Sequence, residues 1–176
     1  FDESGNSIFM NATGDRVAIG AYKNDGNGNN AGHVRIYAWN GASWIQQGQD
    51  INGEAENDNS GYSVSISSDG NRIAIGAPFN DGISSGGHVR LYDWNGSSWI
   101  QQGQDIDGEA SGNNSGISVS LSSDGTIVAS GTPRHDNYKG HVRVFLYNGV
   151  DAWNQLGPDI DGPTDATSPN AGYGVA

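Results

Sequence analysis

Between Tyr62 and Gln102, apolar and polar residues fall into four short runs separated by glycine, asparagine and aspartate. Tyr62-Ser63-Val64-Ser65-Ile66-Ser67 alternates as a half-buried strand does, with successive side chains turned to opposite faces. Ser68-Asp69-Gly70-Asn71 follows, and its Asp-Gly pair predicts a tight two-residue hairpin with positive φ. Arg72-Ile73-Ala74-Ile75-Gly76-Ala77 reads as the second strand and His88-Val89-Arg90-Leu91-Tyr92-Asp93-Trp94 as the third, with a polar loop from Pro78 to Gly87 between them. Asn95-Gly96 predicts the next tight hairpin, and Ser98-Trp99-Ile100-Gln101-Gln102 the fourth strand. An acidic, glycine-rich connection, Asp105 to Ser115, closes the unit.

The same unit recurs roughly every 55 residues, opened by Gly5, Gly61 and Gly116. Residues Trp39 to Ile51 match Trp94 to Ile106 except for Ala42 against Ser97. In the first copy Met10-Asn11-Ala12-Thr13-Gly14-Asp15 replaces the first hairpin, and in the third Tyr147-Asn148-Gly149-Val150-Asp151 lengthens the later one. Repeated four-stranded units that cannot bury an apolar face alone are the signature of β-propeller blades. The expected fold is all-β: three four-stranded antiparallel meanders in one array over 1–176. The blades fall at about 5–60, 61–115 and 116–171, and the start of a fourth at 172–176. A ring needs about four blades or more. The chain does not begin with Met, and it reads as a segment of a longer array. Closure by self-association and an open stack of blades are the alternatives.

Composition fits this picture. Twenty-eight Gly and only 34% hydrophobic residues suit many turns and short strands, and five Trp and seven Tyr supply apolar area. A net charge of −12 makes nucleic acid an unsuitable partner, because phosphate binding needs a basic surface. There is no Cys, so disulfides and thiolate metal sites are excluded. No run approaches the ~20 apolar residues of a membrane-spanning helix.

Three segments carry a resemblance. Gly61-Tyr62-Ser63-Val64-Ser65, Ala74-Ile75-Gly76-Ala77-Pro78 and Gly87-His88-Val89-Arg90-Leu91-Tyr92 resemble the FG-GAP repeats of integrin α-subunit propellers. They are more similar still to tandem repeats of exported surface proteins of marine Bacteroidetes and some algae. The resemblance implies a propeller, an extracellular or cell-surface location and a part in adhesion, without enzyme activity. It does not extend to the integrin-type calcium hairpin. Ser67-Ser68-Asp69-Gly70-Asn71-Arg72 and Ser122-Ser123-Asp124-Gly125-Thr126-Ile127 each offer one carboxylate, whereas calcium takes six to eight oxygens.

The interblade segment offers the best residues for a hard cation such as Ca²⁺: Asp50, Asn52 and Glu54 in one copy, Asp105, Asp107 and Glu109 in the next. An acidic connector with Asx turns accounts for the same residues. Asn24-Asp25 and Asn80-Asp81 could hold a sugar or simply form turns before glycine. Trp44 and Trp99 could stack on a glycan or fill the core between blades. His33, His88 and His141 lie in equivalent positions on different blades, too far apart to share one zinc ion, which argues for packing. No catalytic set stands out; Arg134, His135 and Lys139 break the repeat but sit in a loop. The expectation is a non-catalytic structural or adhesive module whose partners are further blades or copies of itself. A glycan-binding propeller, calcium-assisted, is the alternative, with glycans or surface proteins as partners.

Overall fold

The computed structural model describes residues 1–80, 86–163 and 171–175. Asp81, and most of the loop that follows it, lies outside the described residues. The first sheet holds β1 (Ser7–Met10), β2 (Arg16–Ala21), β3 (His33–Trp39), β4 (Trp44–Gln46) and β5 (Ile51–Asn52). The second holds β6 (Ser63–Ile66), β7 (Arg72–Ala77), β8 (His88–Trp94), β9 (Trp99–Gln101) and β10 (Ile106–Asp107). The third holds β11 (Ser118–Leu121), β12 (Ile127–Thr132), β13 (His141–Tyr147), β14 (Trp153–Gln155) and β15 (Ile160–Asp161), with one helical turn, α1 (His135–Tyr138), between β12 and β13. Every pairing within the sheets is antiparallel. The protein is thus all-β, built of propeller blades.

Each blade is a meander whose outermost row is broken. β4 and β5 both pair with β3, at its two ends, leaving 47–50 as an outward detour. The detour turns on Gly48 at φ +78°, and the second blade repeats it at Gly103 with φ +75°. A side chain on Gly48 would collide with Trp94 and Trp99 of the next blade, so glycine is required twice over.

The later hairpins are tight, but their register is one residue off the sequence reading. Asn40 N–H donates to Ser43 O and Asn95 N–H to Ser98 O, so the central pairs are Gly41-Ala42 and Gly96-Ser97. Only the glycines take positive φ, +97° and +100°. The asparagines stay outside and cap the turn, accepting N–H bonds from the second and third residues ahead. Asp69-Gly70 is no two-residue turn either. Ser67 pairs with Arg72 around a four-residue loop, because Gly70 N–H closes back on Ser67 O and leaves Asn71 as an extra residue.

The apolar residues lie between blades. One cluster joins Ala18, Val34, Ile36 and Ile51 of the first blade to Val64, Ile66, Ile73, Ile75 and Trp99 of the second. The next joins Ala74, Val89, Leu91 and Ile106 to Val119, Leu121, Val128, Phe145 and Trp153 of the third. Polar seams flank these clusters. Ser7 and Ser63, in the innermost strands, donate to the carbonyls of Gly61 and Gly116, which open the following copies. Ser118 does the same to Gly172. Trp99 and Trp153 donate their indole N–H groups back to Gln47 and Gln102 of the blade before.

Candidate functional site

The third strand of every blade begins His-Val-Arg, so its His and Arg fall on one face. That face looks onto the detour in the outer row. In the first blade Arg35 grips Asp50 with two parallel bonds, Nε to Oδ1 at 2.9 Å and Nη2 to Oδ2 at 2.8 Å. Arg90 grips Asp105 in the same way, at 2.9 and 2.7 Å. Gln46 and Gln101 add a bond to the same carboxylates. Arg35 holds Asp50 below the usual carboxylate range. At Asp105 burial pushes the other way, and the bonds and charge of Arg90 outweigh it. Glu54, from the preceding connector, also reaches Arg90. Glu54, His88 and Asp105 therefore offer ligand atoms within 4.8 Å of one another, with the guanidinium among them.

The third blade departs from this arrangement. Arg143 turns toward the connector behind it, donating Nη2–H to the Asp107 carbonyl at 2.5 Å, with Nη1 3.7 Å from Glu109. Among the described hydrogen bonds, Asp159 keeps only that from Gln155. Its other carboxylate oxygen lies 3.3 Å from His141 Nδ1. His135, at the start of α1, stacks on His141 with ring centroids 4.0 Å apart. Its Nδ1 lies 3.1 Å from the Asn113 amide and 3.8 Å from Glu109. Glu109, His135, His141 and Asp159 all offer ligand atoms within 4.8 Å of one another.

The structure does not gather the carboxylates of one connector. Asp50 serves Arg35, Asn52 pairs with His33 in β5, and Glu54 crosses to the second blade. Asp105 serves Arg90, Asp107 pairs with His88 in β10, and Glu109 crosses to the third blade. The regular strand ends at Asn52 and Asp107, so the chain carries each Glu forward to the next copy. The carboxylates that meet are therefore Glu54 with Asp105, and Glu109 with Asp159.

The other sequence candidates act in turns and packing. Asn24 accepts the Gly26 N–H and donates to Asp2, and Asp25 accepts the Asn30 N–H; these are turn contacts. Asn80 is buried at the start of its loop. Trp99 is 3% exposed with its indole N–H satisfied, which leaves its ring no face for a sugar. Trp44, its equivalent on the first blade, is 41% exposed and lines an apolar groove of about 360 Å³ with Met10, Val17, Ile19 and Tyr37. The first-hairpin carboxylates are satisfied by their own turns. Asp69 accepts from Ser67 and from Asn71. Bonds from Ser122 and Thr126 hold Asp124 at about 2.

Sequence reasoning set His141 aside, and it met Asp159 only as one carboxylate of the recurring interblade segment, not as a partner of a histidine. It compared the three histidines with each other, whereas each meets carboxylates of its own neighbourhood. The available signal was the substitution of His135 where the other copies have Asn24 and Asn80.

No sequence family matches the chain, and no curated protein does. Solved structures are similar in fold. A candidate 6-phosphogluconolactonase from Bacteroides uniformis ATCC 8492 superposes with a TM-score of 0.60 at 10% identity, over 88% of this chain and 40% of that one. TolB from Acinetobacter baumannii gives 0.50 at 16%, over 89% and 32%. Hydrazine synthase from Kuenenia stuttgartiensis gives 0.54 at 13%, over 85% and 41%. The chain thus spans less than half the length of these neighbours, and at such identities the likeness shows a propeller fold and nothing of activity.

Proposed function

We propose that this chain is a non-catalytic repeat module of a secreted or cell-surface protein, with a structural or adhesive role. One observation carries the reading: recurring serines and tryptophans of the copies are used to join blades. Trp99 and Trp153 reach back to the preceding blade, and Ser7, Ser63 and Ser118 reach forward to the following copy. Their repetition follows from assembly. The similarity of the repeat to FG-GAP-type segments supports export to the surface. The lactonase label of one structural neighbour does not pass to this chain at 10% identity.

The test has two arms. The purified chain is offered to a glycan array with and without Ca²⁺, and beads coated with it are examined for mutual adhesion. The reading expects beads that adhere to one another and no saturable glycan signal. It expects no hydrolysis of 6-phosphogluconolactone either. Saturable glycan binding lost on Trp44→Ala would replace it with a lectin-like function.

A further inference from the structure

We propose that Glu109, His135, His141 and Asp159 form a binding site for one divalent transition-metal ion of the zinc class, present in the third blade alone among the three copies. The four side chains come from four separate segments: the connector behind the blade, α1, the start of β13 and the detour before β15. Folding alone brings their ligand atoms within 4.8 Å of one another. A zinc ion at ~2.0–2.2 Å from each ligand needs a modest further closing of that cluster. Glu109 and His135 stand on partly exposed segments that can move inward.

Three observations converge. His141 is fully buried, yet neither ring nitrogen has a hydrogen-bond partner. Buried polar groups are almost always satisfied, so an imidazole without a hydrogen bond, with Nδ1 3.3 Å from an Asp159 oxygen and a second imidazole stacked on it, is placed to take a ligand. Asp159 lacks the arginine that its equivalents Asp50 and Asp105 have, because Arg143 has turned toward Asp107. His135 stands where the other copies carry Asn24 and Asn80, and supplies the second nitrogen.

The donor set decides the class of ion. Two imidazole nitrogens and two carboxylate oxygens suit Zn²⁺, Co²⁺ or Ni²⁺. Calcium would want six to eight oxygens. Four protein ligands leave no open position, which is the pattern of a structural ion. Such an ion would tie the connector of the second blade to the body of the third, in keeping with a non-catalytic array. The second blade is the internal control: Glu54, His88 and Asp105 have Asn80 in place of the second His, and Arg90 occupies the gap.

The experiment titrates the tag-free chain with Co²⁺ and follows the visible ligand-field bands, then displaces Co²⁺ with Zn²⁺. The expected result is one Co²⁺ per chain with intense tetrahedral bands, displaced by Zn²⁺ and not by excess Ca²⁺, and a Zn²⁺-dependent rise in Tm. His135→Asn, which restores the residue of the second blade, and Glu109→Gln should each weaken binding by more than the ~10–100-fold that loss of an outer partner costs. Glu54→Gln should leave it unchanged. Circular dichroism confirms that each variant keeps its β structure. Absence of a saturable band, displacement by Ca²⁺, or affinity unchanged in both His135→Asn and Glu109→Gln overturns the site.

Discussion

Trp99 donates its indole N–H to the carbonyl of Gln47, 2.8 Å away across the boundary between the first two blades. Gln49 answers by donating its side-chain amide to the Trp99 carbonyl at 2.9 Å. The detour in the outer row of one blade is therefore a clasp around the tryptophan of the next. Trp99→Phe should keep most of the apolar contact and lose the indole bond, at a cost of about 1 kcal/mol in urea unfolding. Trp44→Phe on the first blade, where the ring is 41% exposed, should cost clearly less in this chain. Equal losses at both positions would deny the clasp its role.

The innermost strands impose a closer fit. A Cβ on Gly76 would lie 2.0 Å from the Gly116 carbonyl oxygen and 2.4 Å from Ser63 Oγ. The first of these is backbone and cannot swing aside. Gly76→Ala should thus destabilise by about 1–3 kcal/mol, the usual range for overpacking. Gly174→Ala, where a Cβ meets nothing within 4 Å, should be close to neutral. Thermal melts of the two variants side by side check this.

The hairpin glycine gives a third test. Gly96 has φ +100° and open space around it, so the cost of Gly96→Val is purely conformational. A loss of roughly 1–2 kcal/mol is expected, since L side chains resist that region. Asn95→Gly, which only removes the bonds to the Ser97 and Ser98 N–H groups, should cost less. The reverse order of Tm values would mean that the asparagine, not the glycine, sets the turn.

Stability should fall with acid in two stages. Burial, with the charge of Arg90, holds His88 below its ordinary value of 6.5, against the pull of Asp105, Glu54 and Asp58. The unfolded chain then takes up the proton more readily, so stability is full above about 6.5 and declines as pH drops from there. Asp50 and Asp105 are also held low and act with the same sign in a lower window, from about 3.8 downward. Tm measured from pH 8 to 3 in metal-free buffer should show both declines. His88→Gln should shrink the first, to which His33 and His141, also held low by burial, contribute, and leave the second.

The first and third blades expose apolar positions whose equivalents in the second blade are covered. Ile8, Met10 and Trp44 are 65%, 53% and 41% exposed, whereas their equivalents Val64, Ile66 and Trp99 are 6%, 3% and 3% exposed. At the other end Ile160 is 60% exposed against 4% for Ile106. Faces of this kind mate head to tail. Light scattering should show concentration-dependent association, weakened by Met10→Asp and by Ile160→Asp separately. Mixing those two variants should restore a dimer, since each retains the half the other has lost. A mixture that stays monomeric would exclude the head-to-tail contact.

The strands were legible because their signal is local: alternation and turn residues mark each row, and repetition marks the blade. The break in the outer row was not, since Gln47-Gly48-Gln49-Asp50 is shaped by Trp94 and Trp99 some fifty residues away. The hairpins were placed one residue early because Asn-Gly was read as the central pair, whereas the asparagine side chain closes the turn from outside. The His-carboxylate cluster was hidden for a related reason. Residues adjacent in the connector part company at the strand end, and each Glu joins a histidine of the following copy. Only His135, which breaks the repeat, stood out in the sequence, and its loop position disguised its proximity to His141.

The hydrogen bond from Ser118 to Gly172 has a consequence for anyone who would cut or shuffle this protein. The unit written in the sequence and the unit that is chemically complete are offset by one glycine. Excising a repeat at its own border orphans a serine hydroxyl and lays bare a glycine groove shaped for a neighbour's peptide. A transplantable cassette must carry that borrowed residue with it.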